Sequence, residues 1–122
     1  IIWHLTDFYD EKPEQRAYFV LVDDNDKVIG GIGLAEFPDI EGCAELQKLY
    51  LADEAKGHGL GYFLIDLIEK EAEKMGYRKM YLETHTNLQT AIHVYEKAGY
   101  LEIPRPEFVM HNTMNKFYIK EL

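Results

Sequence analysis

Residues 43–61 read CAELQKLYLADEAKGHGLG, a strand pattern followed by a glycine-rich loop, and this stretch decides the fold. Residues 43–51 favour a β-strand, whose side chains alternate between the two faces of a sheet. Their apolar residues change phase partway, because Ala44 and Leu46 occupy even positions whereas Leu49 and Leu51 occupy odd ones. The period-two pattern is therefore interrupted in the middle of the strand.

This interruption predicts a β-bulge near Gln47 or Lys48. One inserted residue there lets both apolar pairs face the same core. A bulge parts a strand from its neighbour and leaves backbone groups to bind something other than protein, so we interpret the position as part of a binding site. The alternative is a strand buried on both faces near Leu49, which needs no alternation.

The glycine-rich loop leads directly into an amphipathic helix. Such a loop gathers unpaired N–H groups and the positive end of the helix dipole around one small volume, which suits an anion. Glycine lets an anion reach the backbone, and a lysine and a histidine add local positive charge. A purely steric role for the glycines is the alternative. The residues of this predicted anion site are Lys56, Gly57, His58, Gly59, Leu60 and Gly61.

The remaining elements surround this stretch. Residues 17–22 and 27–36 predict a hairpin, and the glycines of its second arm, Gly30, Gly31 and Gly33, indicate a bulge or a close neighbouring backbone. Further predicted elements are a helix ending at Gly76, a strand at 78–84, a helix capped by Asn87 and closed by Gly99, and strands at 100–103 and 115–122. The order of elements predicts an α/β (α+β) fold, with helices packed on a mixed sheet.

Composition limits the classes of function. The 122 residues carry 13 Lys and Arg against 22 Asp and Glu, a formal net charge of −9, which disfavours nucleic acid as a partner. The length fits one domain over residues 1–122, and no apolar run is long enough to span a membrane, so we expect a cytoplasmic protein without a membrane partner.

Cys43, the single cysteine, is expected to be a buried apolar residue. His85 and His93 lack further ligands at metal spacing, so we expect no metal site.

Two segments resemble the motifs of the GCN5-related N-acetyltransferase (GNAT) superfamily. They are LQKLYLADEAKGHGLGYFLI at 46–65 and NLQTAIHVYEKAGY at 87–100. The first family motif is Gln or Arg, two residues, Gly, one residue, then Gly or Ala; Lys56 replaces the first residue and keeps a cation. The resemblance, from about Glu45 to Tyr100, implies an acyl-CoA N-acyltransferase-like fold: a mixed, mostly antiparallel central sheet with a splayed strand and flanking helices. It also implies acetyl-CoA as co-substrate, held by the backbone of Leu49 and Leu51 and by the anion site.

The resemblance further implies an N-acetyltransferase, in which a primary amine of a small molecule or peptide attacks acetyl-CoA directly in a ternary complex. It places Tyr95 beside the coenzyme sulfur as general acid, with a core tyrosine as the alternative. Glu45 points away from Ala44 and Leu46 and is the candidate general base, with a solvated strand carboxylate as the alternative. Asn87 is expected to contact the coenzyme as well as cap its helix, and the N–H of Leu51 to stabilise the oxyanion.

A non-catalytic acyl-CoA-binding or sensing module is the alternative function. Family members carry a strand and one or two helices before the hairpin, which form one wall of the acceptor cleft, whereas 16 residues precede Ala17 here. We therefore expect a shortened N-terminal part supplied by residues 1–16; the alternative is an acceptor wall formed by missing residues or by a partner subunit. The last strand, Asn115 to Leu122, is expected to form a sheet edge that could pair in a homodimer. His111, in the proline-rich connection, is a candidate residue of the acceptor pocket.

Overall fold

The computed structural model describes residues 8–109 and 113–122. Within these ranges the strands are β1 (Ala17–Val22), β2 (Val28–Glu36), β3 (Cys43–Leu51), β4 (Lys79–Thr84), β5 (Leu101–Ile103) and β6 (Lys116–Glu121). The helices are a 3-10 helix (Asp53–Ala55), α1 (Leu60–Lys74) and α2 (Gln89–Lys97). The predicted order of strands and helices is confirmed, with boundaries that differ by one residue or two.

The strands form one sheet in the order β1-β2-β3-β4-β6-β5. Only the pairing of β3 with β4 is parallel, so the sheet is mixed and mostly antiparallel, as predicted. The prediction that the last strand forms an edge is wrong. Because β6 pairs with β4 along six residues and with β5 along three, it lies inside the sheet, and the edges are β1 and β5.

The main core lies between the sheet and the two helices. This core contains both apolar pairs of β3, the earlier pair Ala44 and Leu46 and the later pair Leu49 and Leu51. The predicted bulge is therefore confirmed, and the strand pairing shows where it lies. Between the pairs Gly31–Tyr50 and Gly33–Gln47 the chain advances two residues on β2 but three on β3. Lys48, inside that interval, has a φ of 56°.

Past the bulge, β3 and β4 separate. Their parallel pairing covers only Cys43 with Lys79, Ala44 with Met80 and Glu45 with Tyr81. The second half of β3 therefore lies beside a gap in the sheet, which we call the splay.

A smaller cluster covers the opposite face of the sheet. It contains Cys43, Tyr81 and Phe117, with Phe37 stacked on Tyr81 at 4.2 Å between ring centroids. The prediction that Cys43 is buried is confirmed. Burial raises the pKa of its thiol to about 11.

Candidate active site

A cleft of about 570 Å³ opens on the helix side of the splay. It is bounded by the end of β3, the glycine-rich loop and the first turns of both helices. We call it the coenzyme cleft, because eight of the predicted coenzyme residues line it: Leu49, Leu51, Lys56, Gly57, Gly59, Leu60, Gly61 and Asn87. His58 is exposed and is not among the lining residues. Eight of the nine predicted residues are thus brought together in one cleft.

The N-terminal ends of both helices meet at this cleft. Gly57 and Gly59 have φ angles of 81° and 73°, the left-handed conformation that glycine adopts without strain. The first intrahelical bond of α1 runs from the N–H of Phe63 to the carbonyl of Gly59 at 3.2 Å, so the preceding helical N–H groups have no acceptor within the helix. Neither helix carries a side-chain cap. Two positive helix ends therefore face one volume that suits an anionic ligand.

The backbone of Leu51 is turned toward the splay. Leu51 pairs in register with Gly30, and the next residue, Ala52, donates its N–H to the carbonyl of Ile29 at 2.8 Å. Because successive residues of an antiparallel strand direct their backbone groups to opposite sides, the N–H of Leu51 points away from β2. A donor in this position can bind a carbonyl oxygen lying in the gap.

Lys56 is held at the rim of the cleft by a nearby carboxylate. Its Nζ lies 3.0 Å from Oδ1 of Asp53, and both side chains are exposed. An exposed ion pair of this kind contributes little to stability, so Lys56 can exchange Asp53 for a phosphate at small cost.

The prediction that Asn87 caps α2 is wrong. The helix begins at Gln89, and its N-cap residue is Leu88, which cannot accept a hydrogen bond through its side chain. The preceding loop bonds to itself instead: the N–H of Leu88 reaches the carbonyl of His85 at 2.9 Å, and the N–H of Asn87 reaches Nδ1 of His85 at 3.1 Å. Asn87 still lines the cleft, where its contact with the coenzyme remains a prediction.

A second cavity, of about 560 Å³, borders the same part of β3. Its lining residues are Phe8, Glu45, Leu46, Gln47, Lys48, Glu83 and Met114. β3 thus lines this cavity with residues 45–48 and the coenzyme cleft with residues 49–51. We call it the acceptor cavity, after the role proposed for it below.

Glu45 is partly buried in the acceptor cavity. Burial raises the pKa of its carboxyl group and the negative charge of Glu83 adds to the effect, while a hydrogen bond from Gln47 and the charge of Lys48 oppose it. Glu83 in turn accepts a hydrogen bond from the hydroxyl of Tyr81 at 2.8 Å. The expected orientation of Glu45, away from the main core, is confirmed.

Tyr95 lies inside the main core. It is 7% exposed, and its ring meets that of Tyr100 edge to face at 6.1 Å. Burial raises the pKa of its hydroxyl to about 12. Tyr95 is not among the residues that line the cleft, although Val94, next to it on α2, is. Its role as general acid remains a prediction.

Three further features concern metal ligands, membrane spans and His111. Within residues 8–109 and 113–122, no three His, Cys, Asp or Glu side chains come together as a metal site. Over the same ranges, no helix is long and apolar enough to cross a bilayer. His111 lies outside the described residues.

Sequence reasoning missed several residues of both cavities. Tyr50, Tyr62 and Val94 line the coenzyme cleft, and Gln47 and Glu83 line the acceptor cavity. Glu83 carried a usable signal, because it lies on the face of β4 opposite the core residues Met80 and Leu82. Tyr62 carried none, since its position depends on how α1 packs on the sheet.

The comparisons with known proteins agree with this geometry. The acetyltransferase (GNAT) family profile matches residues 2–100, so the chain belongs to the GNAT family. Among curated proteins, it is 38% identical over 89 residues to the Escherichia coli (strain K12) protein named "Uncharacterized N-acetyltransferase YjgM". That match covers 72% of this chain and 53% of the relative. The chain therefore spans about half the length of this relative.

Solved structures share the fold. A GNAT-family acetyltransferase from Staphylococcus aureus Mu50 superposes with a TM-score of 0.80 at 20% identity, covering 94% of this chain and 76% of that one. A GNAT-superfamily phosphinothricin acetyltransferase from Sinorhizobium meliloti, solved in complex with AcCoA, has a TM-score of 0.76 at 20% identity, covering 99% and 69%. The acyl-CoA N-acyltransferase-like fold predicted from the sequence is confirmed.

Proposed function

We propose that this chain transfers an acetyl group from acetyl-CoA to a primary amine of a small molecule or peptide, by direct attack in a ternary complex. One observation carries the proposal: β3 lines the coenzyme cleft with residues 49–51 and the acceptor cavity with residues 45–48. A thioester lying along the first set and an amine held by the second would meet at the splay. The complex of the Sinorhizobium meliloti relative with AcCoA supports this choice of donor.

The donor would be held by backbone more than by side chains. The diphosphate suits the N–H groups at the start of α1, assisted by Lys56, and the pantetheine arm suits the backbone of Leu49 and Leu51. These interactions need no net positive charge on the protein. An anionic ligand can therefore bind a chain whose formal charge is −9.

The acceptor must lose a proton before it can attack. Glu45 is proposed as the general base, directly or through one water molecule, and its raised pKa makes it a stronger base than an exposed glutamate. The negative charge of Glu83 in the same cavity favours a cationic amine on approach. A net acidic acceptor cavity therefore suits an ammonium group.

Transfer makes one bond and breaks another. The amine nitrogen bonds to the thioester carbon, the carbon–sulfur bond then breaks, and the electron pair leaves with sulfur. The nitrogen releases its second proton as the amide forms, and that proton neutralises the departing thiolate. The N–H of Leu51 is proposed to stabilise the oxyanion formed on the way. Tyr95 is proposed to donate a hydrogen bond or a proton to the departing thiolate. Because the pKa of Tyr95 is about 12, full proton transfer from it to a thiolate is uphill, which favours the hydrogen bond.

Release of free thiol from acetyl-CoA tests the proposal. The assay uses a panel of diamines and polyamines, amino acids, aminoglycosides and peptide N-termini, with coenzyme binding measured separately by calorimetry. Glu45→Gln is expected to lower kcat/KM at least about tenfold, and Tyr95→Phe to lower kcat while the Kd for coenzyme stays within about twofold. Glu73→Gln, an exposed carboxylate of α1, is the matched control and is expected to be neutral.

The alternative function gives a different result in the same experiment. A non-catalytic acyl-CoA-binding module would bind the coenzyme, release no thiol with any amine, and be indifferent to Tyr95→Phe. Absence of coenzyme binding at millimolar concentration would rule out both functions.

A further inference from the structure

Two hydrogen bonds link the segment before β1 to Glu45. The hydroxyl of Tyr9 donates to Oε1 of Gln47 at 2.7 Å, and Nε2 of Gln47 donates to Oε1 of Glu45 at 2.9 Å. We propose that Gln47 and Tyr9 are positioning residues that hold the Glu45 carboxylate in the orientation required of the base. This inference rests on the proposed function, since it assigns supporting residues to the same site.

The two bonds determine which way the amide of Gln47 faces. A side-chain amide has one accepting end and one donating end, and the two are interchanged by a rotation of 180°. Because Tyr9 donates to the oxygen, the nitrogen must face Glu45. Without the hydroxyl of Tyr9, only the bond to Glu45 orients the amide, and its oxygen is left without a fixed donor.

The backbone of β2 and β3 creates the space for this arrangement. Glu45 and Gln47 lie two residues apart on a strand, so their side chains share a face. Gly33 pairs with Gln47 across the ladder, and a Cβ atom on Gly33 would lie 2.6 Å from the hydroxyl oxygen of Tyr9. Only glycine at this position leaves room for the tyrosine. The glycines of β2 were predicted to indicate a bulge or a close neighbouring backbone, and the irregular register between Gly31 and Gly33 confirms the bulge. At Gly33 the close neighbours are tyrosine side chains.

Tyr9 is held firmly enough to act as a fixed donor. It is 3% exposed, and its ring lies 5.0 Å from that of Phe8 and 5.3 Å from that of Tyr18, measured between centroids. Arg16 anchors the segment: its guanidinium lies over the ring of Phe8 at 3.9 Å and donates to the carbonyl of Phe8 at 3.0 Å. The segment before β1 therefore lines the acceptor cavity with Phe8 and supports Gln47 through Tyr9.

The bond from Gln47 also affects the charge of Glu45. A hydrogen bond donated to a carboxylate favours its ionised form and lowers its pKa, opposing the effect of burial. Loss of the bond should therefore raise the pKa of Glu45 and leave less of the base ionised at low pH. The other charged or titratable groups around Glu45 are Glu83 and Tyr81 on β4, Cys43 and Lys48 on β3, and Tyr9 itself.

The test compares Gln47→Met and Tyr9→Phe with the unaltered chain. Methionine keeps the length of the side chain without the donor, and phenylalanine keeps the buried ring. Tyr18→Phe is the matched control, because it removes a neighbouring tyrosine hydroxyl from the same aromatic group. Two quantities are measured. The first is kcat/KM as a function of pH. The second is the NMR chemical shift of the Glu45 carboxyl carbon as a function of pH, with the signal of the neighbouring Glu83 assigned so that the two are not confused.

Both variants are expected to move the acid limb of kcat/KM and the titration of Glu45 to higher pH. For Gln47→Met, the midpoint of the acid limb of kcat/KM and that of the Glu45 titration should move to higher pH together, with a smaller move for Tyr9→Phe and none for Tyr18→Phe. A purely structural role would lower kcat/KM equally at every pH. An unchanged titration of Glu45 in both variants would overturn the proposal.

The NMR titration separates this inference from the proposed function. If the titration of Glu45 shifts as expected but the unaltered chain acetylates no amine, the proposed function is wrong, and with it the assignment of Glu45 as a base. If the unaltered chain is active but neither pH profile nor titration shifts in the variants, only the positioning role is wrong.

Discussion

Replacement of Gly59 by alanine tests whether the left-handed loop holds the coenzyme. Gly59 has a φ of 73°, and a Cβ atom added there would meet nothing within 4 Å. The alanine side chain therefore meets no protein atom, and its cost comes from the backbone alone. A residue with a Cβ atom in this conformation is destabilised by about 1–2 kcal/mol.

This cost must appear either in stability or in affinity. If the loop keeps its conformation, the free energy of unfolding falls by about 1–2 kcal/mol, which lowers the Tm by about 3–10 °C for a domain of this size. If the exposed loop relaxes, stability is kept, and coenzyme binding must restore the strained conformation. The Kd then rises about 5- to 30-fold. Because space around Gly59 is open, we expect most of the cost in affinity.

Gly76→Ala provides the matched control. Gly76 has a φ of 95°, also with nothing within 4 Å of an added Cβ atom, but it follows the C-terminal end of α1. The 15 residues of that helix place it about 22 Å from the cleft. The substitution should lower the Tm by about 3–10 °C and leave the Kd for coenzyme unchanged.

The assays are calorimetric titration with coenzyme A and thermal melts followed by circular dichroism. The reasoning is refuted if Gly59→Ala matches the unaltered chain in both Kd and Tm. It is also refuted if Gly76→Ala weakens coenzyme binding as much as Gly59→Ala does, because the effect would then come from general destabilisation.

Three further predictions concern stability and reactivity. Hydrogen bonds from Arg16 at 2.7 and 3.0 Å lower the pKa of Glu36 from 4.5 to about 2. The ionised Glu36 therefore adds to the folding stability above pH 4.5, and this stabilisation is lost as the pH falls toward 2. Glu36→Gln should therefore flatten the fall of Tm between pH 5 and pH 2, and an unchanged slope would contradict this. Lys120 donates to both oxygens of the buried Glu69 at 2.9 and 3.1 Å, so Lys120→Met should cost about 3 kcal/mol in urea unfolding, and adding Glu69→Gln should recover most of it. No recovery in the double variant would contradict the ion-pair explanation. Burial raises the pKa of Cys43 to about 11, so Ellman's reagent should react with it at pH 8 only after unfolding, and rapid reaction of the folded chain would show that the thiol is accessible.

Local patterns in the sequence predicted much of the fold and half of the site. The phase change between Leu46 and Leu49 indicated the bulge, because side-chain alternation depends only on neighbouring residues in the strand. The closely spaced Gly57 and Gly59 indicated an anion-binding loop, because glycine lets an anion approach the backbone, and the structure gives both residues positive φ angles. The residues that would hold the coenzyme through backbone groups were therefore found from short stretches of sequence.

Long-range pairing determined the rest. The edge predicted for the last strand failed because position in a sheet depends on partners far along the chain, and β6 pairs with both β4 and β5. The cap predicted for Asn87 failed because the loop bonds to His85 instead.

The acceptor side of the site shows the same division between local and distant signals. The sequence by itself determined that Glu45 points away from the main core, since alternation along β3 is enough to orient it. Only the tertiary structure decided that Tyr9 reaches Gln47, 38 residues later, across the space left by Gly33. No local pattern encodes that contact, because it depends on the register between β2 and β3 and on how the segment before β1 packs over both strands.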